Sequence, residues 1–244
     1  MSDIRAKKSL GQNWLVNEGV LDRIIAAARI APGETVVEVG PGRGALTARL
    51  VAAGARVVAI EKDHRLTDAL RGEFPMATII ESDVLTADIA SLVPGPYKLV
   101  ANIPYYLTSH LIRLMLESWP PPTLAVLMVQ EEVARRMIAA PPDMNLLALS
   151  VQLATDVKLV MRVSRGSFRP IPDVDSAVVV LTPRLRNTET GEILALARQA
   201  FEHKRKQLKA TIPAEALTRA GIEPSRRPQE LSLDEWRRVR ATQR

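Results

Sequence analysis

The chain has 244 residues, 33 Lys+Arg against 27 Asp+Glu, three His and no Cys. At 47% hydrophobic and 25% charged it reads as a soluble folded protein, one large domain or a domain with an appendage. The missing Cys excludes disulfides, thiol nucleophiles and Cys-type zinc or iron–sulfur sites, and no apolar run approaches the roughly 20 residues that cross a membrane.

In chain order, the first eight residues carry basic groups with no apolar core behind them, so a secretory signal is not expected and a cytoplasmic location is. Residues 16–29 set Leu21, Ile24, Ile25 and Ala28 at helical spacing, and Pro32-Gly33 ends that helix. Thr35–Val39 is a short β-branched strand closed by Gly40-Pro41-Gly42-Arg43-Gly44, and a helix follows to about Ala53. Strands are expected at Arg56–Ile60, Ala77–Ile80, Tyr97–Ala101 and Leu124–Val129, with helices at 64–72, 108–118 and 130–138. Two β-rich stretches, 157–163 and 177–182, flank a Pro-rich loop. Helical patterns then occupy about 190–209, 213–220 and 232–241. Apolar strands alternating with helices predict an α/β fold with a mostly parallel sheet covered on both faces. The strand signals stop at Pro183, so a small all-helical domain is expected from 184 to 244 behind a catalytic domain at 1–183.

Charge follows the same division. Residues 1–183 hold 19 Lys+Arg and 19 Asp+Glu, while 184–244 hold 14 and 8, so the whole excess of +6 sits in the last quarter. A basic excess confined to one segment suits a partner with a phosphate backbone, and equally a solvated helical face.

In such sheets a ligand binds beyond the carboxyl ends of the strands. Four polar clusters fall at four such ends: the Gly loop with Gly40 and Gly42, then Glu61, Asp83 and Asn102. The Gly loop lets backbone approach a ligand and leaves helix N–H groups free. Glu61, 21 positions after Gly40, has the spacing of a carboxylate that grips ribose hydroxyls. Asp83 suits the exocyclic amine of an adenine ring. The Gly loop and Glu61 fit NAD and S-adenosylmethionine alike, and Asn102-Ile103-Pro104-Tyr105 separates the two. An adenine amine is a poor nucleophile because its lone pair is delocalised into the ring. An Asn side-chain oxygen and a backbone carbonyl, each accepting one of its N–H bonds, hold the nitrogen nearer tetrahedral and free that lone pair for a sulfonium methyl. Pro104 favours an extended Ile103, which aims that carbonyl, and Tyr105 offers a ring for base stacking.

Lys8-Ser9-Leu10-Gly11-Gln12-Asn13-Trp14-Leu15, Glu38-Val39-Gly40-Pro41-Gly42-Arg43-Gly44, Asn102-Ile103-Pro104-Tyr105 and Phe168-Arg169-Pro170-Ile171-Pro172-Asp173-Val174-Asp175-Ser176 occur in that order. Together they closely resemble the ribosomal RNA adenine dimethyltransferases of the KsgA and Erm superfamily, from about Lys7 to Trp236. Phe201–Leu208 resembles the family's basic helix, and Arg227–Ser232 its closing segment.

The resemblance implies a class I S-adenosylmethionine-dependent methyltransferase fold, Rossmann-like, plus a small helical domain. The implied reaction puts two methyls on the exocyclic amine of each of two adjacent adenines near the 3′ end of small-subunit ribosomal RNA. Its implied setting is a 30S precursor particle and no metal is implied; the sequence does not fix the oligomeric state, and a monomer is expected. The matched motifs imply that Gln12, Asn13, Leu15, Gly40, Gly42, Glu61, Asp83 and Asn102 hold the cofactor. Tyr105 and Phe168 would sandwich the flipped adenine beside Asn102, Ile103 and Pro104, and Lys204, Arg205 and Lys206 would grip RNA. The chain departs from the family in Trp14, where Phe is usual, in His203-Lys204, where an Arg pair is usual, and in trimming near 139–146. A second reading is an Erm-type enzyme acting on large-subunit RNA, against which stand Tyr105 and the Asn102–Leu107 run. A third is a non-catalytic ribosome-assembly or transcription factor on the same fold, against which stand the intact Gly loop, Glu61 and Asn102.

Overall fold

The computed structural model describes residues 4–185, 188–203 and 205–243. Its elements, in chain order, are β1 (Trp14–Leu15), α1 (Glu18–Ala28), β2 (Thr35–Val39), α2 (Ala45–Ala52), β3 (Arg56–Glu61), α3 (His64–Glu73), β4 (Thr78–Glu81), α4 (Ile89–Leu92), β5 (Lys98–Asn102), α5 (Thr108–Glu117), β6 (Leu124–Gln130), α6 (Glu131–Met137), α7 (Leu146–Ala154), β7 (Thr155–Val163), β8 (Phe168–Arg169), β9 (Ser176–Pro183), α8 (Thr188–Glu202), α9 (Ala214–Arg219) and α10 (Leu233–Ala241).

Seven strands form one sheet in the order β4-β3-β2-β5-β6-β9-β7. The five from β4 to β6 run parallel, and β9 runs antiparallel to β6. Strand order reverses between β2 and β5, which opens a crevice at their carboxyl ends. Side chains of alternate parity are buried together. Val36, Val100, Val126 and Val178 join Leu21, Leu46 and Leu66 of α1, α2 and α3 on one face. Val37, Leu99, Leu127 and Val179 are equally buried on the other, so both faces are covered. This is the mostly parallel α/β fold that the alternating pattern predicts. A separate two-stranded pair joins β1 to β8, with Leu15 opposite Phe168 and Trp14 opposite Arg169.

The chain divides into two compact units. One runs to Ala134 and resumes over Lys158–Pro183; the other takes Arg135–Val157 together with the chain from Arg184 onward. The break after Pro183 coincides with the end of the strand signals, but the sequence pattern places 135–157 with the sheet. Helix α7 accounts for the difference. Its Leu149 and Leu153 are buried with Ile193, Leu217 and Trp236, far along the sequence, in the core of the second unit. Asn145 caps α7, its side-chain oxygen accepting from the Ala148 N–H.

The helix expected over 190–209 is shorter. Helix α8 ends at Glu202, so Arg205 and Lys206 lie beyond it, exposed and outside any helix; Lys204 lies outside the described residues. Ile193, Leu194, Ala197 and Ala200 form the buried stripe of α8. Continued by another turn, that stripe would reach Arg205, which is exposed. Leu208 enters the core instead from a short 3₁₀ turn, its N–H donating to the Arg226 carbonyl at 2.7 Å.

Candidate active site

A cavity of about 330 Å³ opens where β2, β3 and β5 end, within the first unit. Its walls are the Gly loop, Glu61 and Asp83 at successive strand ends, the Asn102–Tyr106 run, and the segment Leu10–Leu15. Gln12, Asn13, Leu15, Gly40, Gly42, Glu61, Asp83, Asn102, Ile103, Pro104, Tyr105 and Phe168 all line it. Every site residue expected in the catalytic part is therefore gathered at one place.

The Gly loop carries α2 away from β2. Gly42 has φ +58°, and a Cβ there would stand 2.8 Å from Cδ1 of Trp14, so only glycine lets the indole seat on this backbone. The Gly42 N–H donates to Glu61 Oε2 at 3.2 Å, and the Asp63 N–H donates to Oε1 at 2.8 Å. Burial raises the Glu61 pKa, and the backbone N–H groups of Asp63, Gly42 and Lys62 oppose the rise. Each carboxylate oxygen keeps a further lone pair, enough to accept two hydroxyls of a diol. Glu38 on β2 is buried beneath the loop, accepting from the Thr47 hydroxyl at 2.7 Å. Burial, aided by the Glu61 charge, pushes it up to about 8.

Asp83 follows β4. Its Oδ2 pairs with Lys62 Nζ at 2.7 Å and its Oδ1 accepts from the Leu85 N–H, and Lys62 holds its pKa below the ordinary carboxylate value. Each Asp83 oxygen keeps a further lone pair for an incoming amine.

Asn102 ends β5. Its Nδ2 donates to the Asn13 carbonyl at 3.3 Å, and neither its Oδ1 nor the Ile103 carbonyl receives a hydrogen bond from the described residues. Two adjacent acceptors without donors at a cavity wall match what an amine with two N–H bonds needs. Tyr105 is half-buried, its hydroxyl 2.8 Å from Ser176 Oγ, and burial raises its pKa. Phe168 differs from expectation in one respect: it lines the cavity, yet it is only 1% exposed and packs in the core with Leu15 and Leu21. Its ring is a wall more than a platform in this state.

The segment Leu10–Leu15 is held by contacts that the sequence does not announce. Gln12, expected at the cofactor, spends both ends of its amide on the protein: Oε1 accepts from the Lys7 N–H at 2.7 Å and Nε2 donates to Asp63 Oδ2 at 2.9 Å. Buried Asp63 caps α3 and is also forked by Arg65, which holds its carboxyl far below the usual range. The Arg43 guanidinium lies 4.0 Å from the centre of the Trp14 ring and donates to the Ile4 carbonyl at 2.6 Å. A polar residue just before a helical run is the available signal for Asp63; nothing local marks Arg43. Trp14 Nε1 and Arg43 Nε are buried with no hydrogen-bond partner among the described residues, two orphaned donors at the wall of a cavity that suits an anionic or polar guest. Arg205 and Lys206 belong to the second unit, and Lys204 lies outside the described residues.

A family model described as ribosomal RNA adenine dimethylase matches residues 4–240. The chain is 43% identical over 254 aligned positions to ribosomal RNA small subunit methyltransferase A of Dehalococcoides mccartyi, covering 96% of this chain and 87% of that one. It is 41% identical to the protein of that name from Pelotomaculum thermopropionicum, covering 96% and 90%. Among solved structures, a dimethyladenosine transferase from Plasmodium falciparum superposes with TM-score 0.81 at 29% identity, covering 92% and 95% of the two chains. The 23S rRNA methyltransferase ErmE superposes with TM-score 0.79 at 28%, covering 94% and 99%. On the full-length model match and these identities, the chain belongs to the ribosomal RNA adenine dimethylase family and is an enzyme of that class.

Proposed function

We propose that the protein dimethylates the exocyclic amine of two adjacent adenines near the 3′ end of small-subunit ribosomal RNA, with S-adenosylmethionine as methyl donor. It acts as a monomer, in the cytoplasm, on a precursor of the 30S particle and without a metal ion. The observation that carries the reaction is the unpaired acceptor couple of Asn102 Oδ1 and the Ile103 carbonyl, set in the same cavity as Glu61 and the Gly loop. Relatives 38–43% identical to this chain are named for the small subunit, which supports the small-subunit substrate.

The cavity fits the cofactor. Glu61 has lone pairs for the ribose diol, Asp83 an acceptor for the adenine amine, and Asn13 and Leu15 face the methionine end. When bound, the cofactor supplies a methyl group on a sulfonium, which needs no further activation. The remaining chemistry belongs to the chain. Asn102 and Ile103 accept the two N–H bonds of the target amine and hold its nitrogen pyramidal. Pro104 fixes the turn between them and Tyr105, whose ring stacks on the flipped base while Ser176 anchors its hydroxyl. The proton lost from the methylated nitrogen passes to solvent. Phe168 closes the far side of the base once its ring is uncovered. Arg205 and Lys206, with Lys204, hold RNA phosphates.

Asn102→Ala should retain the fold and lose about 10²-fold or more of methyl transfer, the scale of one lost transition-state hydrogen bond. Labelled S-adenosylmethionine with unmodified small and large subunits, side by side, measures it. Full activity in the variant overturns the mechanism, and label in the large subunit overturns the substrate.

A further inference from the structure

Tyr105 and Tyr106 are adjacent in one 3₁₀ turn, yet their rings have different surroundings. The Tyr105 hydroxyl is tied to Ser176 at the start of β9. The Tyr106 ring instead lies on Gly11. A Cβ at Gly11 would stand 3.1 Å from its Cδ1 and 3.3 Å from its Cε1, and Gly11 has φ +59°. Tyr106 also lines the cavity, while 53% of it remains open to solvent. Its hydroxyl takes no hydrogen bond from the described residues. Lys62, Asp83 and Glu61, from the ends of β3 and β4, line the same cavity and act on that hydroxyl electrostatically. The ring follows β5, rests on a glycine and shares the cavity wall with Glu61, Lys62 and Asp83 from the ends of β3 and β4.

We propose that Tyr106 is the outer wall of the cofactor site: its ring lies over the nucleoside half of a bound S-adenosyl ligand, between Glu61 and Asp83, and slows its departure. The inference rests on the cofactor reading above. Gly11 is the floor that sets the ring's height: a Cβ there meets the ring at 3.1 Å and makes it give by a few tenths of an ångström. A planar ring over a nucleoside excludes water from the sugar and covers the base, so removing it accelerates release more than it hinders entry. Two methyls on each of two adenines require the spent cofactor to leave and a fresh one to enter between transfers. The wall therefore governs a step that recurs through the reaction.

The probe is S-adenosylhomocysteine with the full chain. Its affinity is read by calorimetry, and its dissociation rate by displacement with tryptophan fluorescence, Trp14 being in the same cavity. Tyr106→Ala should bind about tenfold more weakly and release correspondingly faster, while Tyr106→Phe, which keeps the ring and drops an unpartnered hydroxyl, should match the wild type. Gly11→Ala should shift binding in the same direction as Tyr106→Ala. Small-subunit affinity in Tyr106→Ala should stay within about twofold of wild type. Unchanged cofactor affinity and release in Tyr106→Ala, with weakened subunit binding, would overturn the proposal and put Tyr106 on the RNA face. Equal loss in the Phe and Ala variants would overturn the ring as the active part. A wild-type protein that binds no S-adenosylhomocysteine would instead overturn the cofactor reading itself. Thermal melting of each variant shows whether it is folded, and a half-exposed ring without hydrogen bonds leaves little reason for it not to be.

Discussion

Glu38 is a carboxylic acid placed where a charge is expensive. It is 1% exposed, and the Thr47 hydroxyl offsets only part of the desolvation that lifts it from an ordinary 4.5 to about 8. Between those two values the folded protein keeps a proton that the unfolded chain releases. Stability contributed here is complete below about pH 4.5 and is lost as pH rises through 8. Glu38→Gln keeps an acceptor for Thr47 and cannot ionise. Melting temperatures of the two proteins should therefore agree near pH 4.5 and separate in favour of the variant by pH 8.5; parallel curves would show that Glu38 ionises without cost. At this scale the sequence is informative about type and order. Glu61, Asp83 and Asn102 are legible because each ends an apolar strand. Asp63 and Arg43 are not, because they act on Gln12, Trp14 and Ile4, contacts that form only once the chain has folded.

Among the elements, the central strands β2, β5, β6 and β9 are easiest to read, since each is an apolar run buried on both faces. Helix α7 is hidden for the opposite reason. Leu146–Ala154 is apolar nearly all round, so it has no polar face to give a 3.6-residue rhythm. Strands β1 and β8 have two residues each and exist only because they meet. Helix α10 shows how an end is secured. Ser232 Oγ accepts from the Glu235 N–H, and Glu235 Oε2 accepts from the Ser232 N–H at 2.8 Å. Arg226 pairs with the same carboxylate at 2.5 Å and holds it down at about 2. Its contribution is present above the unfolded value near 4.5 and is lost as pH falls through about 2. Ser232→Ala should cost about 1 kcal/mol at neutral pH, and Glu235→Gln should destabilise at pH 7 with a deficit that shrinks toward pH 2. Chemical denaturation across that range measures both, and a deficit constant with pH would remove Arg226 from the account.

Over the whole molecule, charge and packing divide the chain at nearly the same place. The segment from 184 on carries the net +6, and its own core closes around Trp236 with α7 added. Reversing Arg205 and Lys206 to Glu should weaken RNA binding and lower the slope of log affinity against log salt by about 1 for each phosphate no longer gripped. S-adenosylhomocysteine affinity should not change. Titrations at several salt concentrations give the slope, and an unaltered slope would take this turn off the RNA surface.

The pairing of β1 with β8 has a consequence in time. Asn17 donates to Ser167, 150 positions further along, at the edge of the same small ladder. A ribosome adding about 5–20 residues per second needs roughly 8–30 s to cover that distance. The amino-terminal wall of the pocket is thus synthesised first and seated late. Until Phe168 has emerged, a nascent chain holds the Gly loop and the acceptor couple but no second strand on which Trp14 and Leu15 can rest. Cofactor capture is therefore deferred until most of the polypeptide has been made.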